Sequence, residues 1–166
     1  TPTIMAYTLL YDICKESMEK HAGMPVNDPV MQKEINDYQY FEPAYKAYKE
    51  NFKAFYDTGV TVIAGTDMVM YGSPLLPLNR ELQYMVEYGI TPVQAIQTAT
   101  SNPAKVLGVE KERGLVAEGL DADLLVVGGD LSKDITCLND VKLVTLGGKR
   151  VYEDGIRYVG TTKMAM

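Results

Sequence analysis

One aspartate stands where chemistry is often done. Asp67 closes the run Val60-Thr61-Val62-Ile63-Ala64-Gly65-Thr66-Asp67, so an apolar strand ends in a carboxylate. A carboxylate is a hard oxygen donor and a tunable base, suited to ligate a divalent cation or carry a proton. The plainer role for such a residue is to cap the loop that follows. Met68, Tyr71 and Ser73 come next on a Gly/Pro loop, "MVMYGSPLLPLN", and are candidates to line a substrate pocket. Asp121 and Asp123 form an acidic pair two residues apart, read as turn chemistry entering a strand. His21, the only imidazole, lies in a Gly/Pro loop after a helix and reads as a surface residue. With one histidine, a self-contained metal site built from several imidazoles is excluded. No Gly-x-Gly-x-x-Gly or Walker pattern occurs, so no phosphate cradle is expected.

The elements that must position Asp67 follow from periodicity. Residues 2–10, "PTIMAYTLL", read as a short β-tolerant strand, with a helical start around Tyr11–Lys20. Thr3 and Tyr7 on that strand could reach the same site as Asp67. "HAGMPVNDP" (21–29) is a loop. Residues 29–57 read as one long helix with Tyr38, Phe41, Tyr45, Tyr48, Phe52 and Phe55 on one face, packed against a sheet. Pro43 is expected to kink that helix or divide it. Gly59 stops it, and the continuous apolarity of 60–66 predicts a strand buried on both faces of a parallel sheet. The first portion therefore reads β-α-β. Helices follow at about Leu78–Tyr88 and Pro92–Thr100, the second capped by Thr91 with Pro92 at its first position. "TSNPAKVLG" is a shorter helical turn, with Ser101 or Asn102 before Pro103 and Gly108 at its end. Beyond residue 110 short β runs alternate with glycines, and Gly128–Gly129 and Gly147–Gly148 are expected to turn hairpins. The tail "TTKMAM" is expected to be loose.

Composition narrows the classes. The chain has 166 residues, 46% hydrophobic and 23% charged, with a net charge of −6, and it carries no basic cluster. That argues against nucleic acid as a partner. Cys14 and Cys137 lie far apart in no metal or redox spacing, which fits a reducing compartment, the cytoplasm. No apolar run is long enough to span a membrane. The opening "TPTIMAYTLL" has neither a starting methionine nor the basic region of a signal peptide, and reads like a chain entered midway.

Four stretches together resemble the C-terminal portion of the amidohydrolase superfamily, in its imidazolonepropionase and prolidase-like branch. "PTIM" (2–5) resembles the seventh barrel strand, and "GVTVIAGTD" (59–67) the eighth with its metal-site aspartate. "GITPVQAIQTATSNPAKVLGV" (89–109) resembles the helical segment leaving the barrel. "GLVAEGLDADLLVVGGD" (114–130), with Gly114, Gly119, Ala122 and Asp123 in the Gly-x-x-x-x-Gly-x-x-Ala-Asp pattern, resembles the return into a small β-sandwich.

The resemblance implies an α/β fold: the C-terminal part of a TIM-like (β/α)8 barrel, its last two βα units, over residues 1–110. Strands of a small β-sandwich would occupy 111–166. A barrel alone takes roughly 250 residues, so the chain would be the C-terminal part of a larger enzyme. That enzyme would be a metal-dependent hydrolase of C–N bonds in a small-molecule amide, peptide or cyclic amide. It would use a divalent metal, zinc, as one or two ions that this chain alone does not retain. Asp67 would be both metal ligand and catalytic proton carrier, with Met68, Tyr71 and Ser73 at the substrate. The alternative is a catalytically dead module that pairs with another copy, as a homo-oligomer, or complements a missing N-terminal half.

Overall fold

A computed structural model describes residues 4–66, 78–159 and 162–165. Helices and an antiparallel sheet share the chain, which gathers into two compact units described separately below. The first comprises Thr1–Val60 with Ala64–Gly89, the second Thr61–Ile63 with Ile90–Met166.

The first unit is helical: α1 (Ile4–Lys20), α2 (Pro29–Asp57) and α3 (Leu78–Glu87). The strand expected over 2–10 is not found, because residues 4–10 open α1. Met5, Ala6, Leu9 and Leu10 are good helix formers, and a short apolar run carries both periods. Once helical, the run places Tyr7 and Tyr11 four residues apart on one face. Tyr7 meets Phe41 edge-on at 6.4 Å and Tyr48 at 5.9 Å between ring centres. Tyr7 is thus spent on packing between helices.

Helix α2 begins where Asp28 accepts a hydrogen bond from the Val30 amide at 2.8 Å, with Pro29 in its first turn. Three ion pairs link residues four apart along it, Lys33–Asp37, Lys46–Glu42 and Lys53–Asp57. It passes through Pro43 undivided. Pro43 offers no N–H to the carbonyl of Gln39, yet the Tyr11 ring spans the defect. It lies 5.1 Å from Tyr38 on one side and stacks on Tyr45 at 4.1 Å on the other. The aromatic stripe therefore packs on a helix, where a sheet was expected. Phe41 and Phe52 are buried, while Phe55 faces solvent. Leu82, Tyr84, Met85 and Tyr88 complete this core, and the buried Thr8 and Tyr88 hydroxyls bond at 2.7 Å.

The second unit holds α4 (Pro92–Ala99), α5 (Ser101–Leu107) and five strands: β1 (Leu125–Val127), β2 (Val141–Leu146), β3 (Lys149–Glu153), β4 (Ile156–Val159) and β5 (Thr162–Ala165). Thr91 and Gln94 form a reciprocal capping box at the start of α4, and Gly108 ends α5 at φ +73°. The strands make an antiparallel meander in chain order, with Val144 opposite Tyr152 and Tyr152 opposite Arg157. Gly147–Gly148 turns β2 into β3 with both φ positive, and Asp154–Gly155 does the same before β4. Gly128–Gly129 turns no hairpin. It begins a longer connection through a short 3-10 helix, Ile135–Asn139, closed by the Gly128 amide on the Asp140 carbonyl at 2.8 Å. At Gly129 a β-carbon would lie 2.5 Å from the Cys137 sulfur, so close approach requires glycine there. The tail is not wholly loose either, since β5 pairs with β4.

Candidate functional site

The candidate site is the end of the segment that leads to Asp67. Gly59, at φ +83°, releases the chain from α2. Residues 60–66 pair with no strand among the described residues. A parallel strand draws its hydrogen bonds from neighbours, and the five strands described all fall within 125–165. Val62 is nonetheless buried, at 4% exposure, and a buried carbonyl needs a partner. Its partner is a side chain: Asn102 Nδ2 donates to the Val62 carbonyl at 2.9 Å.

Local structure explains why Asn102 is free to do this. Thr100 occupies the cap position of α5 at φ −128°, ψ −89°, and no side chain closes that helix start. Neither Ser101 nor Asn102 is used as a cap. Ser101 and Ala104 are buried, and Gly114 lies so close that a β-carbon on it would sit 2.6 Å from that of Ala104. The start of α5 is thereby held from behind, with the Asn102 amide on Val62.

Asp67, Met68, Tyr71 and Ser73 lie outside the described residues, as does Thr3. The remaining candidates are placed. Arg113 bonds Asp121 at 2.7 Å and lies 3.9 Å from Asp123, whose Oδ1 accepts from the Gly147 amide at 2.7 Å. The acidic pair is thus a structural clasp on the second unit, as turn chemistry implies.

His21 Nδ1 meets Glu34 Oε1 at 2.8 Å, and Ser17 Oγ donates to the same oxygen at 2.6 Å. Serine, histidine and a carboxylate invite comparison with a nucleophile–base pair. Here both Ser17 and His21 bond the carboxylate, so no hydroxyl–imidazole relay is built. The Ser17 hydroxyl, and after it His21, hold the Glu34 carboxyl below its ordinary pKa. This is a clasp between α1 and α2. On α3, Arg80 lies over the Tyr84 ring at 4.3 Å, and the Tyr84 hydroxyl donates to Asp12 at 3.2 Å. Burial pushes the phenol of Tyr84 up, opposed by Arg80, and burial also pushes Tyr88 up.

Scanned against known protein families, residues 46–151 match the amidohydrolase family. The chain belongs to the amidohydrolase family. Ochratoxinase of Aspergillus niger is 36% identical to this amidohydrolase over 116 residues, which are 67% of the chain and 22% of that protein. Imidazolonepropionase of Thermoplasma volcanium is 32% identical over 108 residues, 61% of the chain and 26% of that protein. Among solved structures, a Xaa-Pro dipeptidase with bound methionine superposes with a TM-score of 0.69 at 28% identity, covering 93% of this chain and 34% of its own. The chain thus spans about a third or less of each of these relatives.

The superfamily is generally metal-dependent. Among the described residues no three His, Cys, Asp or Glu side chains gather where they could hold a metal ion. The one imidazole is engaged with Glu34. The described donors therefore do not fit a metal centre. Among the described residues, too, no helix is long and apolar enough to cross a membrane. Sequence reading passed over Asn102 as anything but a possible cap. Its signal was an asparagine before Pro103 in a helix start already supplied with Thr100 and Ser101.

Proposed function

We propose that this amidohydrolase chain is the C-terminal portion of a metal-dependent enzyme that hydrolyses C–N bonds of a small-molecule amide, peptide or cyclic amide through metal-activated water. In this reading residues 1–110 are the last two βα units of a (β/α)8 barrel and 111–166 the C-terminal part of a β-sandwich. Asp67 is a metal ligand and the catalytic proton carrier, and Met68, Tyr71 and Ser73 border the substrate. The family match over 46–151, which contains the "GTD" sequence at 65–67, carries the reading. The share of the relatives that the chain spans, and its single histidine, support a ligand set completed by residues outside these 166. Zinc, as one or two ions, suits such a set of imidazoles and a carboxylate. Two free cysteines support a reducing compartment, the cytoplasm.

The first test is to read the coding frame upstream of the Thr1 codon. An open frame with a His-x-His supports the hydrolase, whereas a start codon directly upstream without one removes it. With the longer protein in hand, Asp67→Asn is expected to lower kcat/KM on dipeptide or cyclic-amide substrates by roughly 100-fold or more, the scale of a lost proton carrier. Unchanged turnover would remove Asp67 from the mechanism. A second reading, an inactive module that self-associates or complements an N-terminal half, is favoured by one feature. Residues 60–66 have no strand neighbour among those described, and unpaired backbone recruits partners. A monomer by sedimentation, unchanged on adding the N-terminal half, would exclude it.

A further inference from the structure

We propose that Asn102 is a positioning residue: its side-chain amide takes the place of a strand neighbour at Val62 and fixes the backbone that runs on to Asp67. The inference rests on the reading of Asp67 given above only for its consequence in catalysis; the pin itself rests on described residues. Three observations carry it. The Val62 side chain is buried in a segment with no strand partner among the described residues, so its carbonyl depends on a donor from elsewhere. Asn102 Nδ2 supplies that donor at 2.9 Å from a residue forty positions away in sequence. The helix start presenting Asn102 is itself fixed, with Ser101 and Ala104 buried and Gly114 leaving no room behind Ala104. An amide serves here where a carboxylate would not, because it reaches as a donor and carries no charge to the buried Val62.

The test compares Asn102→Asp and Asn102→Ala with wild type by hydrogen–deuterium exchange of the full chain. Aspartate keeps the shape and suits a helix start, but at neutral pH it offers the Val62 carbonyl no proton. Both variants are expected to speed exchange of the amides of 61–66 by roughly tenfold, with α4 and the β1–β5 sheet unchanged. In Asn102→Asp, acidification that protonates the new carboxyl restores a donor and is expected to slow exchange at 61–66 relative to Asn102→Ala. Unchanged exchange at 61–66 in both variants overturns the proposal. So does acceleration spread evenly over the second unit, which marks general destabilisation.

In the longer protein, Asn102→Asp is expected to lower kcat about tenfold with KM held. If Asp67→Asn leaves activity intact while exchange at 61–66 responds to Asn102, the reading of Asp67 fails and the pin stands. If Asp67→Asn abolishes activity while Asn102→Asp changes neither exchange nor kcat, the pin fails and the reading of Asp67 stands.

Discussion

Residues 4–10 and 60–66 both carry the expectation of a strand, the second buried on both faces, and meet different fates. The first is the opening of α1, and the second is a segment with no strand neighbour among the described residues, where the Val62 carbonyl accepts from a side chain. Composition separates them once it is weighed residue by residue. "IMAYTLL" holds the helix formers Met5, Ala6, Leu9 and Leu10 and only two β-branched residues, whereas "VTVIAGT" crowds four β-branched residues into its first four positions, just after a positive-φ glycine. The helix satisfies its own backbone and then docks through rings. The other segment cannot satisfy itself, so its order depends on what reaches it from elsewhere in the chain.

The comparison breaks first at the ring contacts that dock α1. Phe41 is buried at 8% exposure and meets Tyr7 edge-on. Phe41→Ala is expected to cost about 3–5 kcal/mol of unfolding free energy, read as a lowered denaturant midpoint. The amides of residues 4–11 are expected to lose protection most. If α1 keeps its protection, its helix is not held by this packing.

A smaller effect is expected on the other side, behind Asn102. Gly114→Ala places a β-carbon 2.6 Å from that of Ala104 and 3.1 Å from the Thr100 carbonyl, at φ +98°. Overpacking of this kind costs roughly 1–3 kcal/mol. Because the strain falls on the start of α5, exchange at 61–66 is expected to rise with it. A stable variant with quiet 61–66 would show that α5 can shift without moving the segment it pins.

These contrasts also explain what could be read from the sequence. The stops and caps were legible because each is a local act of one or two residues: Gly59, Thr91 with Pro92, Gly108, and the Gly147–Gly148 turn. The family was legible from four words in order, and the match over 46–151 bears it out. What escaped was every feature set by a distant partner. Tyr11 spans Pro43 from another helix, and the stripe on α2 faces rings of α1. Gly128–Gly129 meets Asp140 and Cys137, so it cannot turn a simple hairpin. Asn102 needs Val62, forty residues away, to reveal its use. Asp67 and its three neighbours lie outside the described residues, so their roles remain those proposed.

The smallest expected effect concerns the far end of the same α1–α2 pair, and its sign follows from Glu34. The Ser17 hydroxyl and His21 both bond one Glu34 oxygen and hold its carboxyl below its ordinary value. A carboxyl depressed in the folded state stabilises fully above its unfolded pKa of about 4.3. That contribution is lost as the pH falls through the folded value. Glu42, Asp130 and Asp134 are depressed as well, so acid sensitivity of the whole chain cannot be assigned to Glu34 alone. The difference between wild type and Glu34→Gln isolates it. Wild type is expected to be the more stable at neutral pH, with the gap closing as the pH drops below about 4. A gap that stays constant across that range would mean that the Glu34 carboxyl titrates alike in the folded and unfolded chain, so that its charge does not hold the end of α1.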